Sequence, residues 1–165
     1  MAPTGVYFSG NQLTIMAWVK VRSIQKFSRL IDFGISNGSN GQNEVVFFSL
    51  SDSTNGKPYI RINSGNQTIR GTQFKQLDLN KWKHLAWVFS FPFYSIFIDG
   101  VEVTEPGSRS NLTSLSIKTV VRNSNFIGRS NYPNDKDADA DIDDLKFFNR
   151  ALIQSELIFE MNNSL

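Results

Sequence analysis

The sequence predicts an all-β fold: a sandwich of two antiparallel sheets with one short C-terminal helix. Three observations carry the prediction. Short segments of apolar and polar residues alternate with period two. Stretches rich in Gly, Asn and Asp separate them. Phe occurs 14 times in 165 residues, and aromatic residues favour sheet.

The elements follow in order. In "LTIMAWVKV" (13–21), Leu13, Ile15, Ala17, Val19 and Val21 share one face, and Thr14, Met16, Trp18 and Lys20 the other. "RLIDFG" (29–34) is the next strand, and "SNGSNGQN" (36–43) reads as loop. "EVVFFSL" (44–50) is an apolar run suited to a strand buried on both faces. "SDSTNGKP" is a turn around Asn55-Gly56, and "YIRINS" (59–64) alternates again. "GNQTIRGTQF" (65–74) reads as a hairpin and short strand. "NKWKHLAWVFSF" (80–91) is the strongest strand, and Pro92 stops its ladder. "YSIFIDGVEVT" (94–104) is a hairpin around Asp99-Gly100, the pair a type I′ turn prefers. "EPGSRSNLTSLS" (105–116) is loop, "SNFIGRS" (124–130) holds a short strand, and "ADIDDLKFFN" (140–149) is the last. "QSELIFEM" (154–161) is the one helix, with Leu157, Ile158 and Met161 on its apolar side.

Composition narrows the function classes. Hydrophobic content of 40% and charged content of 19% describe a globular chain of one domain, 1–165. Net charge is +2 and the basic residues are scattered, so the electrostatic footprint of a nucleic-acid binder is missing. The absence of Cys excludes disulfides, thiol catalysis and cysteine-ligated zinc. There is no apolar run near 18 residues, hence no expected transmembrane helix. "MAPTGVYFSG" lacks the features of a signal peptide, and the domain reads as a module of a longer chain. Sequons begin at Asn37, Asn66, Asn111 and Asn162. Chance alone would give roughly two or three, so they weigh little.

Read together, "LTIMAWVKV", "LIDFG", "NKWKHLAWVFSFPFYSIFIDGVEV", "NFIGRS" and "ADIDDLKFFNRALIQSEL" resemble the laminin-G-like members of the concanavalin A-like lectin/glucanase superfamily. Three pieces carry the likeness: Trp18 in an early strand; Trp82, His84 and Ala86 in a strand closed by "IDG"; and "IDDLKFFNRAL" before the helix. The resemblance implies a jelly-roll sandwich. It does not choose among lectin, glycosidase, pentraxin and adhesion module.

The acidic stretch "DKDADADIDD" is the most conspicuous candidate site. Its spacing starts like an EF-hand, but Ala140 and Lys146 stand where that loop needs Gly and Glu. If extended, the segment would place Asp135, Asp137, Asp139, Asp141 and Asp143 on one side, where like charges repel. A divalent cation would relieve the repulsion; so would a solvated loop up to Asp139. Asp143, inside the strand, is expected partly buried and in need of a partner. The resemblance implies a structural Ca²⁺ on Asp143 with carbonyls near Tyr7 to Gly10 and Gly34. The alternative is a pair with Arg150 or Lys146.

Glycosidase chemistry needs two carboxylates about 5–9.5 Å apart across the scissile bond. The superfamily's "E-x-D-x-x-E" strand pattern is missing, and Glu44, Glu102, Glu105, Glu156 and Glu160 are dispersed. No catalytic activity is expected. His84, the single histidine, has no nucleophile motif beside it and reads as packed. Trp18, Trp82 and Trp87 read as core. Loop aromatics and amides are better ligand candidates: Tyr132 with Asn131 and Asn134, and Tyr94 near a turn. The expected function is therefore non-catalytic recognition of glycan outside the cell or at its surface, organised by Ca²⁺ if that ion binds. A protein–protein adhesion module or a structural spacer is the rival reading.

Overall fold

The computed structural model describes residues 1–36, 43–53, 55–72, 75–104 and 110–163. The Asn37 sequon, most of the 36–43 loop and Glu105 lie outside them. Among the described residues the chain forms ten strands and one helix: β1 (Gln12–Ser23), β2 (Arg29–Ile35), β3 (Asn43–Ser49), β4 (Tyr59–Ser64), β5 (Gln67–Thr72), β6 (Trp82–Ser90), β7 (Phe93–Ile98), β8 (Val101–Glu102), β9 (Ser124–Ile127), β10 (Asp139–Phe148) and α1 (Gln154–Asn162). They build two antiparallel sheets, ordered β10-β1-β6-β7-β8 and β5-β4-β3-β2-β9, as the alternation predicts.

Period two decides what each sheet buries. From β1 and β6, Leu13, Ile15, Ala17, Val19, Leu85, Trp87 and Phe89 face the space between the sheets. They meet Phe33, Val46, Phe48, Ile60 and Ile62 of the second sheet. Trp87 is fully buried with its indole edge-on to Phe48. The outer face of the first sheet carries Met16, Ala86 and Phe97. α1 closes over this strip, and fully buried Leu157 contributes about 2 kcal/mol there. Thr14 fixes the approach of α1: its hydroxyl donates to Arg150 O and accepts from Leu152 N–H. The Glu156 carboxylate then accepts the Ile153 N–H and satisfies one donor at the helix start.

Three expectations are corrected here. Trp82 is not core: it is 44% exposed, because it begins β6 beyond the strip that α1 covers. Its ring instead carries the Lys20 ammonium at 5.6 Å. On α1, Leu157 is buried but Ile158 stays 39% exposed, since the helix touches the sheet along a narrow line. Asp143 is exposed rather than partly buried. The β1–β10 register slips between Met16 and Trp18, so Asp144 and Leu145 together oppose Ala17. Asp144 takes φ 49°, and the bulge leaves Asp143 opposite Trp18 on the outer face.

Candidate functional site

The outer face of the second sheet carries a groove of about 210 Å³. Its construction is local. Alternation in "YIRIN" sends Ile60 and Ile62 inward and leaves Tyr59 and Arg61 outward. Phe47 joins them from β3, paired with Arg61, and Arg70 from β5 faces Arg61 on its other side. Tyr132, in the loop between β9 and β10, forms a wall beside Phe47 and Tyr59.

Arg29 holds the floor together. It is 2% exposed, with its guanidinium 4.1 Å from the centre of the Phe47 ring and 5.5 Å from that of Tyr59. Its Nη1 donates to Phe27 O and, at 2.9 Å, to Ser49 Oγ. Its Nη2 donates to Asp135 Oδ2 at 2.7 Å. Its Nε lies 3.5 Å from Asp32 Oδ2, an ion pair without a hydrogen bond. Ser130 Oγ sits between the acids, 2.9 Å from Asp135 Oδ2 and 3.3 Å from Asp32 Oδ2. Burial pushes the Asp32 carboxyl above its ordinary value, opposed by hydrogen bonds from Asn131. Burial likewise raises the phenols of Tyr59 and Tyr132, so both stay neutral donors at physiological pH.

Of the ligand candidates read from sequence, Tyr132 lies in this groove. Asn131 lies behind it and is buried. Its Nδ2 donates to Asp32 Oδ1 at 2.8 Å, Asp32 O and Ser124 O, while its Oδ1 accepts from Ser124 Oγ. Asn131 therefore moors the loop and presents no polar atom to a ligand. Asn134 is exposed at the turn closed by Asp135 N–H to Tyr132 O. Tyr94 is elsewhere, packed on the central core against Gly71, so the structure does not join it to Tyr132.

The acidic stretch divides. Asp135 points into the groove floor. Asp137 is exposed. Asp139 and Asp141 do share the outer face of β10, and β1 neutralises them. Arg22 donates to both, with Nε 2.8 Å from Asp139 Oδ1, and Lys20 Nζ is 3.1 Å from Asp141 Oδ2. Asp143 Oδ1 accepts the Asp144 N–H at 2.8 Å across the bulge. The expected ligands are divided between the sheets: Asp143 faces outward from the first, whereas Gly34 belongs to β2 of the second. Gly10 O and Gly34 O also already accept from Ile117 N–H and Asn123 N–H. Among the described residues no three acidic or histidine side chains converge as a metal site. Asp143 and the Gly34 carbonyl therefore do not fit one shared Ca²⁺.

A larger hollow of about 310 Å³ lies beside α1, but its charges close on one another through the two-point Arg150–Glu156 pair. Sequence reasoning singled out Tyr132 but missed Arg29, Phe47, Tyr59, Arg61 and Arg70. A signal for part of this existed, since "YIRIN" places an aromatic and a cation on the face opposite two core isoleucines.

Comparison with known proteins bears on the fold. A family model described as the concanavalin A-like lectin/glucanases superfamily matches residues 1–158. No curated protein matches the chain by sequence. Domain 4 of AbnA, a GH43 extracellular arabinanase from Geobacillus stearothermophilus solved with arabinotriose, superposes with TM-score 0.67 at 22% identity. That match covers 96% of this chain and 69% of the other. A heptameric SAP-like pentraxin from Limulus polyphemus gives 0.62 at 14% identity, over 94% and 71% of the two chains. Trypanosoma rangeli sialidase gives 0.58 at 18%, over 90% of this chain but 22% of the enzyme. At these identities the likeness is one of fold.

Proposed function

Since this chain belongs to the concanavalin A-like lectin/glucanase superfamily, we propose that it is a non-catalytic module that binds glycan in the Tyr59–Tyr132 groove, outside the cell or at its surface. The observation that carries the reading is the groove's chemistry: two tyrosines and a phenylalanine held around a buried arginine, open to solvent on one side. Phe47 and Tyr59 are buried beneath the arginines, so the half-buried Tyr132 ring is the aromatic face open to a sugar, and the Arg61 and Arg70 guanidiniums are donors suited to its hydroxyls. The arabinotriose complex of the AbnA domain supports sugar binding on this fold.

Hydrolysis has no support in the groove. Asp32 and Asp135 share Arg29 and Ser130, and Asp32 is fully buried. Neither stands free on one side of a bond to be cleaved. The test is calorimetric titration with a panel of neutral and acidic oligosaccharides, using wild type and Tyr132→Ala. Binding that falls about tenfold in the variant, with the fold retained, supports the site. A panel without binding, or binding indifferent to Tyr132→Ala, overturns it.

A further inference from the structure

We infer that this groove selects a carboxylate-bearing sugar, through Arg61 and Arg70. The two arginines are direct cross-strand partners on β4 and β5, and both line the groove. Like charges placed directly opposite destabilise a sheet, so a facing pair calls for a counter-charge. No direct partner is supplied by the described residues: neither arginine belongs to any ion pair among them. Asp135 and Asp32, the nearby acids, share the one Arg29, so with Arg61 and Arg70 the cations of the groove outnumber its acids.

The two guanidiniums are also positioned. Arg61 Nε donates to Asn63 Oδ1 at 2.9 Å, and Arg70 stands 4.9 Å over the Tyr59 ring centre. Opposed residues have Cβ atoms about 5 Å apart, so a single ring carboxylate can bridge both forks. Guanidinium matches the planar carboxylate in two-point bonds, a stronger match than a point charge makes. Arg70 also borders a second hollow of about 280 Å³ at the edge of β5, with Thr68, Ser110 and Asn111. An oligomer with an acidic ring at the arginine pair therefore meets the Tyr132 ring on one side and small polar groups on the other.

This inference rests on the glycan reading, and the experiment separates the two. Tetragalacturonate, its full methyl ester, a sulfated galactan tetrasaccharide and a tetra-aspartate peptide are titrated into wild type, Arg61→Gln, Arg70→Gln and Arg70→Lys at about 50 mM NaCl, where screening is weak. The expected result is acid binding at least about tenfold tighter than ester. The preference is expected to shrink severalfold in each Gln variant and in Arg70→Lys, which keeps the charge but loses the fork. Arg70 is exposed, so its variants fold and keep the test decisive. Equal binding of acid and ester, binding of neither, or a preference untouched by the substitutions overturns the inference. So does equally tight binding of the sulfated sugar or the peptide. The glycan reading is judged apart from these outcomes, by whether any sugar of the neutral and acidic panel binds in a manner that Tyr132→Ala weakens.

Discussion

The Arg29 guanidinium lies 4.1 Å above the centre of the Phe47 ring while its Nη2 grips Asp135 at 2.7 Å. The groove floor is thus a buried cation with rings on one side and carboxylates on the other. Removing the cation leaves Asp32 and Asp135 without their partner. Arg29→Met should cost about 3–5 kcal/mol, the usual penalty for breaking a buried pair from one side. Urea unfolding midpoints measure it, and a loss below about 1 kcal/mol would show that Arg29 is dispensable to the fold.

His84 gives the domain a defined pH response. The residue is 2% exposed, edge-on to Trp18, and its Nδ1 has no hydrogen-bond partner. Burial, aided by Lys146 and opposed by Asp99 and Asp144, pulls the imidazole down to about 4. The unfolded chain therefore binds the proton first, below pH of about 6.5. Stability is complete above that value and falls as pH drops toward 4, by about 2 kcal/mol between pH 7 and 5. No other histidine titrates in this window. Chemical denaturation of wild type and His84→Gln across the range should show the two stabilities diverging as pH falls below about 6.5, the difference being the histidine's share beside that of carboxylates such as Asp32.

Gly71 and Tyr94 are coupled by contact. A Cβ at residue 71 would lie 2.2 Å from Tyr94 Cε2. Gly71→Ala should destabilise by about 1–3 kcal/mol through overpacking. Tyr94→Leu in the same chain should recover part of the loss, and a double-mutant cycle reads the coupling. Strict additivity would mean that the ring moves aside freely.

Thermal stability should not respond to calcium. The carboxylates of Asp135, Asp139 and Asp141 are held by arginine and lysine, and Asp143 faces outward from the first sheet while Gly34 lies in the second. Melting with about 5 mM CaCl₂ and with EGTA should give the same Tm, since only a ligand that binds the folded state raises it. A rise in Ca²⁺ that Asp143→Ala removes would restore the metal site.

The sandwich was legible because alternation is a property of neighbouring residues. Leu13 to Val21 needed no other part of the chain to declare its two faces. The bulge at Asp144 was not legible, because it arises from the register between β1 and β10 and leaves no local mark. The groove was half legible. Tyr132 stood out as a loop aromatic beside amides, but Arg29 and Asp135 are 106 positions apart and meet only through strand pairing. "EVVFFSL" reads from sequence as buried on both faces and is so from Val45 to Leu50, yet what covers Phe47 is a cation rather than another apolar layer.

The loop that carries Tyr132 is tied to β2 at several points. Gly128 N–H donates to Leu30 O, Asn131 N–H donates to Asp32 Oδ2, and Ala138 N–H turns back to Gly128 O. A connection anchored this way should exchange its amide protons as slowly as a strand does, since opening it means breaking bonds to the sheet. The wall of the groove is then already in its bound shape before a ligand arrives. Association would lose little chain entropy, and even short sugar fragments should register as weak, rapidly reversible occupants.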